Sequence, residues 1–416
     1  MSDLTLDRID LARNEIYRHG FPHEIFTLLR REAPVWKHPR TEGVAACGAD
    51  AFWVVSTLAD VVEISRDADR FRSFEGPRLA GWPPHARGQM LITMDPPAHT
   101  RMRKLIAAGF TPRMVAALDE QARVWARKIV DRALELGSFN FVHEVAYQLP
   151  MHMIADVVGI PEADRQHVFS LVDTVLYGLD FENRMDPTEH QKAQGELFMY
   201  GRQLGEHKRA NPVDDVWSTL ATAKIAQDDG SETSLSEIEL DLFFTVFTVA
   251  GSETTRNSIA NGLLALVQHP EQLHRMRTDP SIINNAVEEI VRWSSPVTYF
   301  RRTAVDDVEF RGHRIAAGEA VTLWYPSANR DEQVFEDPFR FDVARPGNLQ
   351  VGFGGPGVHH CLGANLARRE IRVMFEELFA RVAEIEITGD PVYSVTGVES
   401  PVSFSLKELP VRITAK

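Results

Sequence analysis

Helical periodicity dominates this sequence and restricts its fold more than any other feature. From about residue 95 to 382, apolar residues recur at intervals of three and four, in stretches interrupted at Pro161, Pro270 and Pro280. Thr111 is a candidate N-cap for the first long stretch. The pattern predicts helices over 112–136, 145–158, 161–178, 189–209, 235–268, 270–277, 280–294 and 361–382.

Strand signals are few, and they lie towards the two ends of the chain. They fall near 35–56, which includes AFWVV, near 303–325, with a turn at Gly312, and near 385–414. A loop-rich stretch over 328–360 carries few element signals, and a connection of that length is usually functional. The sequence therefore predicts a mainly α fold with a small β region, built as one large domain over 1–416.

Charge and composition exclude several classes of protein. The 416 residues carry 45 Lys and Arg against 59 Asp and Glu, a net charge of −14, which disfavours nucleic-acid binding. The longest apolar stretch, from Leu242 to Ala250, is too short for a membrane span, and the N-terminus lacks a signal-peptide pattern. We expect a soluble, cytoplasmic protein. Two cysteines, Cys47 and Cys361, do not suggest a disulfide framework.

Cys361 lies in an unusual setting, the segment GFGGPGVHHCLGANLARRE. Glycines let the backbone approach a flat group closely, and a cysteine at a helix N-terminus has its thiolate stabilised by free N–H groups. Two alternatives stay open from these residues alone. The thiol could be a small buried hydrophobe, or it could bind zinc with His359 and His360.

The segment around Cys361 resembles the haem-binding loop of the cytochromes P450, F-G-x-G-x-H-x-C-x-G. Gly357, His359 and Gly363 hold the expected places relative to Cys361. Phe353 stands eight residues before the cysteine, whereas the usual spacing is seven, so the loop has one extra residue. This variant is similar to that of bacterial members that oxidise sterol side chains and methyl-branched lipids.

A second motif, AGSETT from Ala250 to Thr255, lies within a long apolar helix. Glycine inside a helix costs about 1 kcal/mol relative to alanine, so Gly251 needs a reason. The resemblance implies that this helix approaches the haem face there and leaves room for dioxygen. Thr254 can bond the carbonyl four residues back, opening the helix, and with Glu253 it would deliver protons. A capping pattern or a solvent-facing Glu-Thr pair is the alternative.

A third motif, Glu289-Ile-Val-Arg292, is weak by itself. The same E-x-x-R spacing also begins at Glu15, Glu63, Glu75, Glu120, Glu162, Glu206 and Glu253. Only Glu289 lies between the proposed oxygen-site helix and the β segment that precedes the cysteine loop. The resemblance implies a structural role for Glu289 and Arg292, with Arg345 of the following loop as their partner.

Two further segments match family positions for the haem propionates. Arg302 lies on the strand after the Glu289 helix, and His99 and Arg103 would share one face of a helix. With His359 they would form a cationic, hydrogen-bonding cradle for two carboxylates. The alternative for each segment alone is a solvated basic face.

The resemblance implies a cytochrome P450 fold and a haem-thiolate monooxygenase. Haem b would bind noncovalently with Cys361 as the axial ligand of its iron, and an anionic sulfur favours O–O cleavage. One oxygen atom of O2 would enter a C–H bond, with electrons from NAD(P)H through a ferredoxin reductase and a ferredoxin. A peroxide-driven peroxygenase, a haem sensor without catalysis and a non-haem helical binding protein are the rivals.

Motif registration also indicates the substrate-facing residues, most of which are apolar. They are Val246, Val249, Ala250, Val297, Thr298, Phe300 and the segment 88–92. An apolar substrate follows, of the sterol, terpenoid or fatty-acyl class. We also expect a local basic patch for an acidic ferredoxin on the cysteine side, made of Arg101, Arg103, Lys104, Arg368, Arg369 and Arg372.

Overall fold

A computed structural model describes residues 5–107, 109–110, 112–178, 180, 185–226, 231–402 and 404–416. Thr111, the candidate N-cap, lies outside these residues. The described residues form fourteen α-helices and fourteen strands. The helices are α1 (His23–Glu32), α2 (Glu42–Ala46), α3 (Leu58–Arg66), α4 (Ala98–Ala107), α5 (Pro112–Leu136), α6 (Gln148–Val158), α7 (Glu162–Tyr177), α8 (Pro187–Ala210), α9 (Val216–Thr222), α10 (Glu237–Gln268), α11 (Pro270–Thr278), α12 (Ile283–Ser294), α13 (Tyr325–Ala328) and α14 (Ala364–Arg381).

The strands are short and belong to several small sheets. They are β1 (Val35–His38), β2 (Phe52–Val55), β3 (Phe71–Arg72), β4 (Ser138–Asn140), β5 (Ile225–Ala226), β6 (Glu232–Thr233), β7 (Tyr299–Ala304), β8 (Val308–Phe310), β9 (His313–Ile315), β10 (Ala320–Trp324), β11 (Val382–Ile387), β12 (Val392–Val395), β13 (Phe404–Glu408) and β14 (Pro410–Ala415). The predicted mainly α fold with a small β region is confirmed.

Each helix predicted from periodicity is present, with both ends within three residues of the predicted bounds. The segment predicted as helix from 145 instead begins with a π-helical turn, Val142–Ala146, before α6. The helix predicted from 361 begins at Ala364, so Cys361 lies ahead of its first turn. No helix or strand is assigned over 329–363, in agreement with the predicted loop.

The chain divides into two compact units. One comprises Met1–Gly88, Asn257–Ala364 and Gly389–Leu409. It contains a five-stranded sheet of order β1-β2-β10-β7-β3, in which β2 and β10 are parallel and the other pairs antiparallel. All four residues of β2 are buried because alternate side chains enter different cores: Trp53 and Val55 pack with Ile64 of α3, and Phe52 and Val54 pack with Phe26 of α1.

The second unit comprises Gln89–Arg256, Asn365–Thr388 and Pro410–Lys416. It is mostly helical and includes α4 to α9, most of α10, and α14, with a small antiparallel sheet of order β11-β14-β4. Helices α8 and α10 approach closely at Gly201, where any side chain would collide with the Phe244 ring. Trp217 of α9 stacks on Phe243, with ring centroids 5.8 Å apart. The prediction of a single domain over 1–416 stays a prediction.

Within the part of the chain that the structure describes, no helix combines the length and the apolarity that a membrane crossing requires.

Candidate active site

The loop that carries Cys361 is closed by its own backbone. The Cys361 N–H donates to the carbonyl of Phe353 at 3.0 Å, and the His360 N–H donates to the carbonyl of Gly357 at 3.1 Å. The extra residue therefore lies inside a closed turn, where Gly354 takes a positive φ of 83° that disfavours other residues. The turn ties Phe353 to the cysteine despite the longer spacing.

Cys361 itself is exposed, unlike most free cysteines. Helix α14 begins three residues later, at Ala364. A side chain added at Gly363, two residues after Cys361, would meet no atom within 4 Å, so there is open space next to this part of the loop. The buried structural alternative for Cys361 is therefore wrong. Within the described residues no three His, Cys, Asp or Glu side chains form a metal-binding group, so the geometry gives zinc no support.

Glycine is required where this loop packs on α3. A Cβ at Gly357 would collide with the backbone carbonyl of Ser65, and a Cβ at Gly355 would collide with the Ser65 hydroxyl. Backbone atoms cannot rotate away as a flexible side chain can. The two glycines therefore let the loop lie directly against the C-terminal turn of α3.

Glu289, Arg292 and Arg345 come together in one buried cluster. Arg292 Nε and Nη2 donate to the two Glu289 oxygens at 2.7 Å each, and both side chains are 0% exposed. Arg345 Nε lies 3.2 Å from Glu289 Oε2. Arg292 also donates to the carbonyls of Asn329 at 2.8 Å and Pro338 at 2.9 Å. The cluster fastens the loop that leads to the cysteine onto α12.

Sequence reasoning missed Arg330, a second anchor of the same loop. Its Nη1 and Nη2 donate to the carbonyls of Arg292 at 2.9 Å and Trp293 at 3.0 Å, and its guanidinium lies 4.4 Å from the Trp293 ring centroid. Burial lowers the pKa of Arg330 well below its ordinary value. Nothing in the sequence marked this arginine, because its partners are backbone carbonyls.

The remaining predicted residues of this unit lie around β7. Arg302 is buried and donates from Nη1 to the Arg301 carbonyl at 3.0 Å. Thr298 is fully buried, and its backbone N–H donates to Pro401 at 2.8 Å. Val297 and Phe300 are only partly buried. Of the three predicted substrate-facing residues on this segment, Val297 and Phe300 are therefore the more accessible.

In the other unit, His99 and Arg103 lie one turn apart on α4. His99 is buried, and Arg103 is half-buried. Their spacing places both side chains on one helical face, as predicted. Arg101, on another face, donates to Thr233 and Ser234 at 3.2 Å each and pairs with Glu239.

Helix α10 carries the predicted oxygen-site residues on one face. The Thr254 hydroxyl donates to the carbonyl of Ala250 at 2.9 Å, as expected, but the helix continues without a break, so the expected opening is absent. Ala250 is exposed, and Val246, Val249 and Glu253 are partly exposed. These positions are spaced by three, four and seven residues, which defines one accessible face. A Cβ at Gly251 would lie 3.1 Å from Ile154 Cδ1.

Arg256 is a further residue that sequence reasoning missed. It ends the E-x-x-R spacing that begins at Glu253, one of seven that seemed uninformative. The structure buries Arg256 to 1% exposure, with Nη2 at 3.8 Å from Glu253 Oε1. The signal was present in the spacing, but nothing in the sequence distinguished a buried pair from a solvated one.

Comparisons with known proteins show the family of this chain. The family model described as Cytochrome P450 matches residues 45–383. The chain belongs to the cytochrome P450 family. It is 43% identical to cytochrome P450 126 of Mycobacterium tuberculosis, over 92% of each chain. A solved structure of Mycobacterium marinum cytochrome P450 CYP268A2 in complex with pseudoionone shares 36% identity at a TM-score of 0.88, covering 99% of this chain and 100% of that one.

Two relatives of this P450 have names that state a reaction. Steroid C26-monooxygenase of Rhodococcus jostii is 40% identical over 92% of this chain and 80% of its own length. Methyl-branched lipid omega-hydroxylase of Mycobacterium tuberculosis is 38% identical over 99% of this chain and 95% of its own. The P450 fold and a cytochrome P450 monooxygenase activity, with haem iron and O2, are thereby established for this chain.

Proposed function

We propose that this P450 hydroxylates an apolar lipid of the sterol, terpenoid or methyl-branched fatty-acyl class, with Cys361 as the axial ligand of its haem iron. The exposed Cys361 thiol, held by its loop ahead of α14, is the observation that carries the ligand assignment. Haem bound through a thiolate supplies the activation of O2 and the insertion of one oxygen atom. The exposed thiol and the open space at Gly363 leave room for a flat group beside Cys361.

The other predicted site residues receive roles in binding and in proton transfer. His99, Arg103, Arg302 and His359 would hold the haem carboxylates, because each carries N–H donors suited to an anion. Thr254 keeps its hydroxyl on the accessible face of α10 by donating to Ala250. Glu253 lies on the same face and would exchange protons with the Thr254 hydroxyl.

The accessible face of α10 supports an apolar substrate. Val246, Val249 and Ala250 offer hydrocarbon surface along about one turn, next to the polar Glu253 and Thr254. Such an arrangement binds an alkyl chain by hydrophobic contact and leaves polar groups at one end of the face. The names of the steroid and methyl-branched lipid hydroxylases, at 40% and 38% identity, favour the same substrate class.

A ligand screen that follows the haem spin state tests the substrate class. A steroid with an intact alkyl side chain, a methyl-branched fatty acid and pseudoionone are the probes, and a polar aromatic acid is the comparison. We expect at least one lipid probe to shift the spectrum and to give a hydroxylated product. A response confined to the polar acid would contradict the proposed class. Val249→Asp should abolish the lipid response, whereas Val213→Asp, at an exposed surface position, should not.

A ferredoxin is the proposed electron donor, but the expected basic patch needs revision. Asp119 accepts from Arg369 at 3.1 Å and from Arg372 at 3.0 Å, so its single negative charge offsets about half of their combined positive charge. Arg101 is likewise paired with Glu239. Lys104 is exposed and is the best remaining candidate for steering an acidic partner.

Charge reversal at Lys104 tests the electron donor. Lys104→Glu should slow reduction by a [2Fe–2S] ferredoxin and weaken its dependence on salt. Lys192→Glu makes the same charge change on an exposed position of α8 and should leave both unchanged. Equal rates in both variants would remove Lys104 from the partner surface.

A peroxide-driven reaction is the rival within the same fold. The presence of Glu253 and Thr254 disfavours it, because a peroxide-driven enzyme does not need protons delivered to O2. Product yields with ferredoxin and NAD(P)H are therefore expected to exceed those with added hydrogen peroxide. The reverse order would favour the peroxygenase.

A further inference from the structure

Arg256 is a buried cation that contacts two tyrosine side chains in addition to Glu253. Its guanidinium carbon lies 4.9 Å from the Tyr177 ring centroid and 5.9 Å from that of Tyr147. The positive charge of the guanidinium also acts on the Tyr177 hydroxyl, where it lowers the pKa against the larger, opposite effect of burial. Buried arginines need partners, and two aromatic faces and one carboxylate supply only part of that need.

The cluster continues from Tyr147 to Asp173 of α7. The Tyr147 hydroxyl donates to the Phe169 carbonyl at 3.3 Å, and the neighbouring Asp173 carboxyl adds to the effect of burial in raising the pKa of Tyr147. Burial raises the pKa of Asp173, so its carboxyl keeps a proton to higher pH than a surface aspartate does.

Tyr147 and Asp173 also line an open cavity of about 600 Å³ between α5, α6 and α7. Most of the other lining side chains are polar, among them His143, Gln148 and Thr174. Water can therefore reach Asp173 from outside. The inner end of the cluster is Glu253. The five residues between the cavity and α10, here named the Asp173–Glu253 cluster, are Asp173, Tyr147, Tyr177, Arg256 and Glu253.

Several polar atoms along the Asp173–Glu253 cluster make no direct hydrogen bond within the described chain. They are Nε and Nη2 of Arg256 and Oδ1 of Asp173. The gap from Arg256 Nη2 to Glu253 Oε1 is 3.8 Å, longer than a direct hydrogen bond. Buried groups at such separations are commonly bridged by ordered water. A proton can move along alternating hydroxyl, carboxyl and water groups, each of which accepts one proton and gives one up.

We propose that the protons delivered by Glu253 enter this P450 at the cavity between α5, α6 and α7 and travel along the Asp173–Glu253 cluster, in which Arg256 is a positioning residue. The inference rests on the proposed role of Glu253 in proton transfer. Arg256 does not itself release a proton, since a guanidinium stays protonated in proteins. It orients the Glu253 carboxylate and the Tyr177 hydroxyl towards each other. One proton leaves Glu253 and one enters at Asp173, so the cluster returns to its starting state.

Single-turnover kinetics of the haem-loaded protein test the route without substrate or ferredoxin. Chemically reduced protein is mixed with O2-saturated buffer and then with one equivalent of a chemical one-electron reductant, in H2O and in D2O, and the return of the oxidised haem spectrum is timed. The second electron is required because O2 takes up two protons only when it receives two electrons. We expect Asp173→Asn and Tyr147→Phe to slow the return roughly 10-fold, less than the about 10²–10⁴-fold that a directly acting acid–base group contributes, because both residues act through Glu253. We also expect a larger D2O effect. Glu162→Gln, in the same cavity but outside the cluster, should match the parent protein.

Conservative variants distinguish the loss of a positioned side chain from a general loss of folding. Asp173→Glu should restore most of the rate lost in Asp173→Asn, and Arg256→Lys should retain more of it than Arg256→Gln. Infrared spectra of the oxidised protein give a readout independent of turnover. At mildly acidic pH, Asp173→Asn should lose one protonated-carboxyl band that Glu162→Gln keeps.

The outcomes distinguish this inference from the proposed function. Parent protein that lacks the thiolate-ligated haem spectrum would refute the proposed function. Parent protein with that spectrum, but with Asp173→Asn and Tyr147→Phe matching Glu162→Gln in rate and D2O effect, would overturn the proton route alone.

Discussion

Removing Arg292 should destabilise the loop that carries Cys361. The side chains of Arg292 and Glu289 are both 0% exposed and share two hydrogen bonds of 2.7 Å. Breaking a buried pair by removing one partner costs about 3–5 kcal/mol. Glu289 would keep Arg345 and the N–H of Asp342 at 2.9 Å, which limits the loss at the carboxylate.

The carbonyls that Arg292 satisfies add to this cost. Those of Asn329 and Pro338 would lose donors at 2.8 and 2.9 Å, and each buried unsatisfied group costs about 1–3 kcal/mol. We therefore expect Arg292→Ala to lower the free energy of unfolding by about 4 kcal/mol, within the range for buried pairs. With a urea slope of about 3 kcal/mol per M, the unfolding midpoint should fall by about 1 M.

Trp293 reports this transition directly, because its ring lies beside both Arg292 and Arg330. Tryptophan fluorescence would follow urea unfolding of the parent, Arg292→Ala and Arg292→Lys, which keeps the charge but not the two-pronged contact. Arg311→Ala is the matched control, since Arg311 pairs with Asp60 while its own side chain is 47% exposed. Exposed pairs contribute about 0–1 kcal/mol. An Arg292→Ala cost as small as that of the control would refute the reasoning.

Two further predictions concern backbone packing and pH. Gly357→Ala should destabilise the protein by about 1–3 kcal/mol because its Cβ would meet the Ser65 carbonyl, whereas Gly363→Ala should be nearly neutral; equal thermal unfolding temperatures would contradict this. Burial raises the pKa of Glu370 to about 8, so the folded state binds its proton more tightly than the unfolded state, and the stability due to that proton is lost as pH rises from about 4.5 to about 8. Glu370→Gln should remove this pH dependence of the free energy of unfolding, which amounts to on the order of 3 kcal/mol at pH 7. Glu384→Gln, at an exposed position, should leave the pH dependence unchanged. Parallel pH–stability curves for the two variants would refute the assignment to Glu370.

The helices were predictable from sequence because local signals fix them. Periodic apolar residues and the prolines at 161, 270 and 280 gave α7, α11 and α12 to within three residues. Helix α9 was missed because it has only seven residues, although Asp215 caps it by accepting from the Ser218 N–H at 2.6 Å. Short helices depend on such caps and on packing, and a run of seven residues shows little periodicity.

Sheet order and buried charges were less accessible. The order β1-β2-β10-β7-β3 joins segments more than 200 residues apart, and no local pattern encodes that pairing. Arg256 and Arg330 looked like ordinary surface arginines, since burial depends on neighbours that are distant in sequence. Glu289 and Arg345 were found only because motif order and family resemblance selected them. At Glu253 the E-x-x-R spacing alone could not tell a buried pair from a solvated one, and the structure shows that Arg256 is buried.

The ligation of haem iron by Cys361 is the central claim, and one spectrum tests it most directly. The purified protein is reduced under carbon monoxide, beside Cys361→Ala and the control Cys47→Ala. A thiolate ligand predicts a strongly red-shifted Soret band in the parent and in Cys47→Ala, and its loss in Cys361→Ala. The same red-shifted band in Cys361→Ala, or its absence from the parent, would contradict the account.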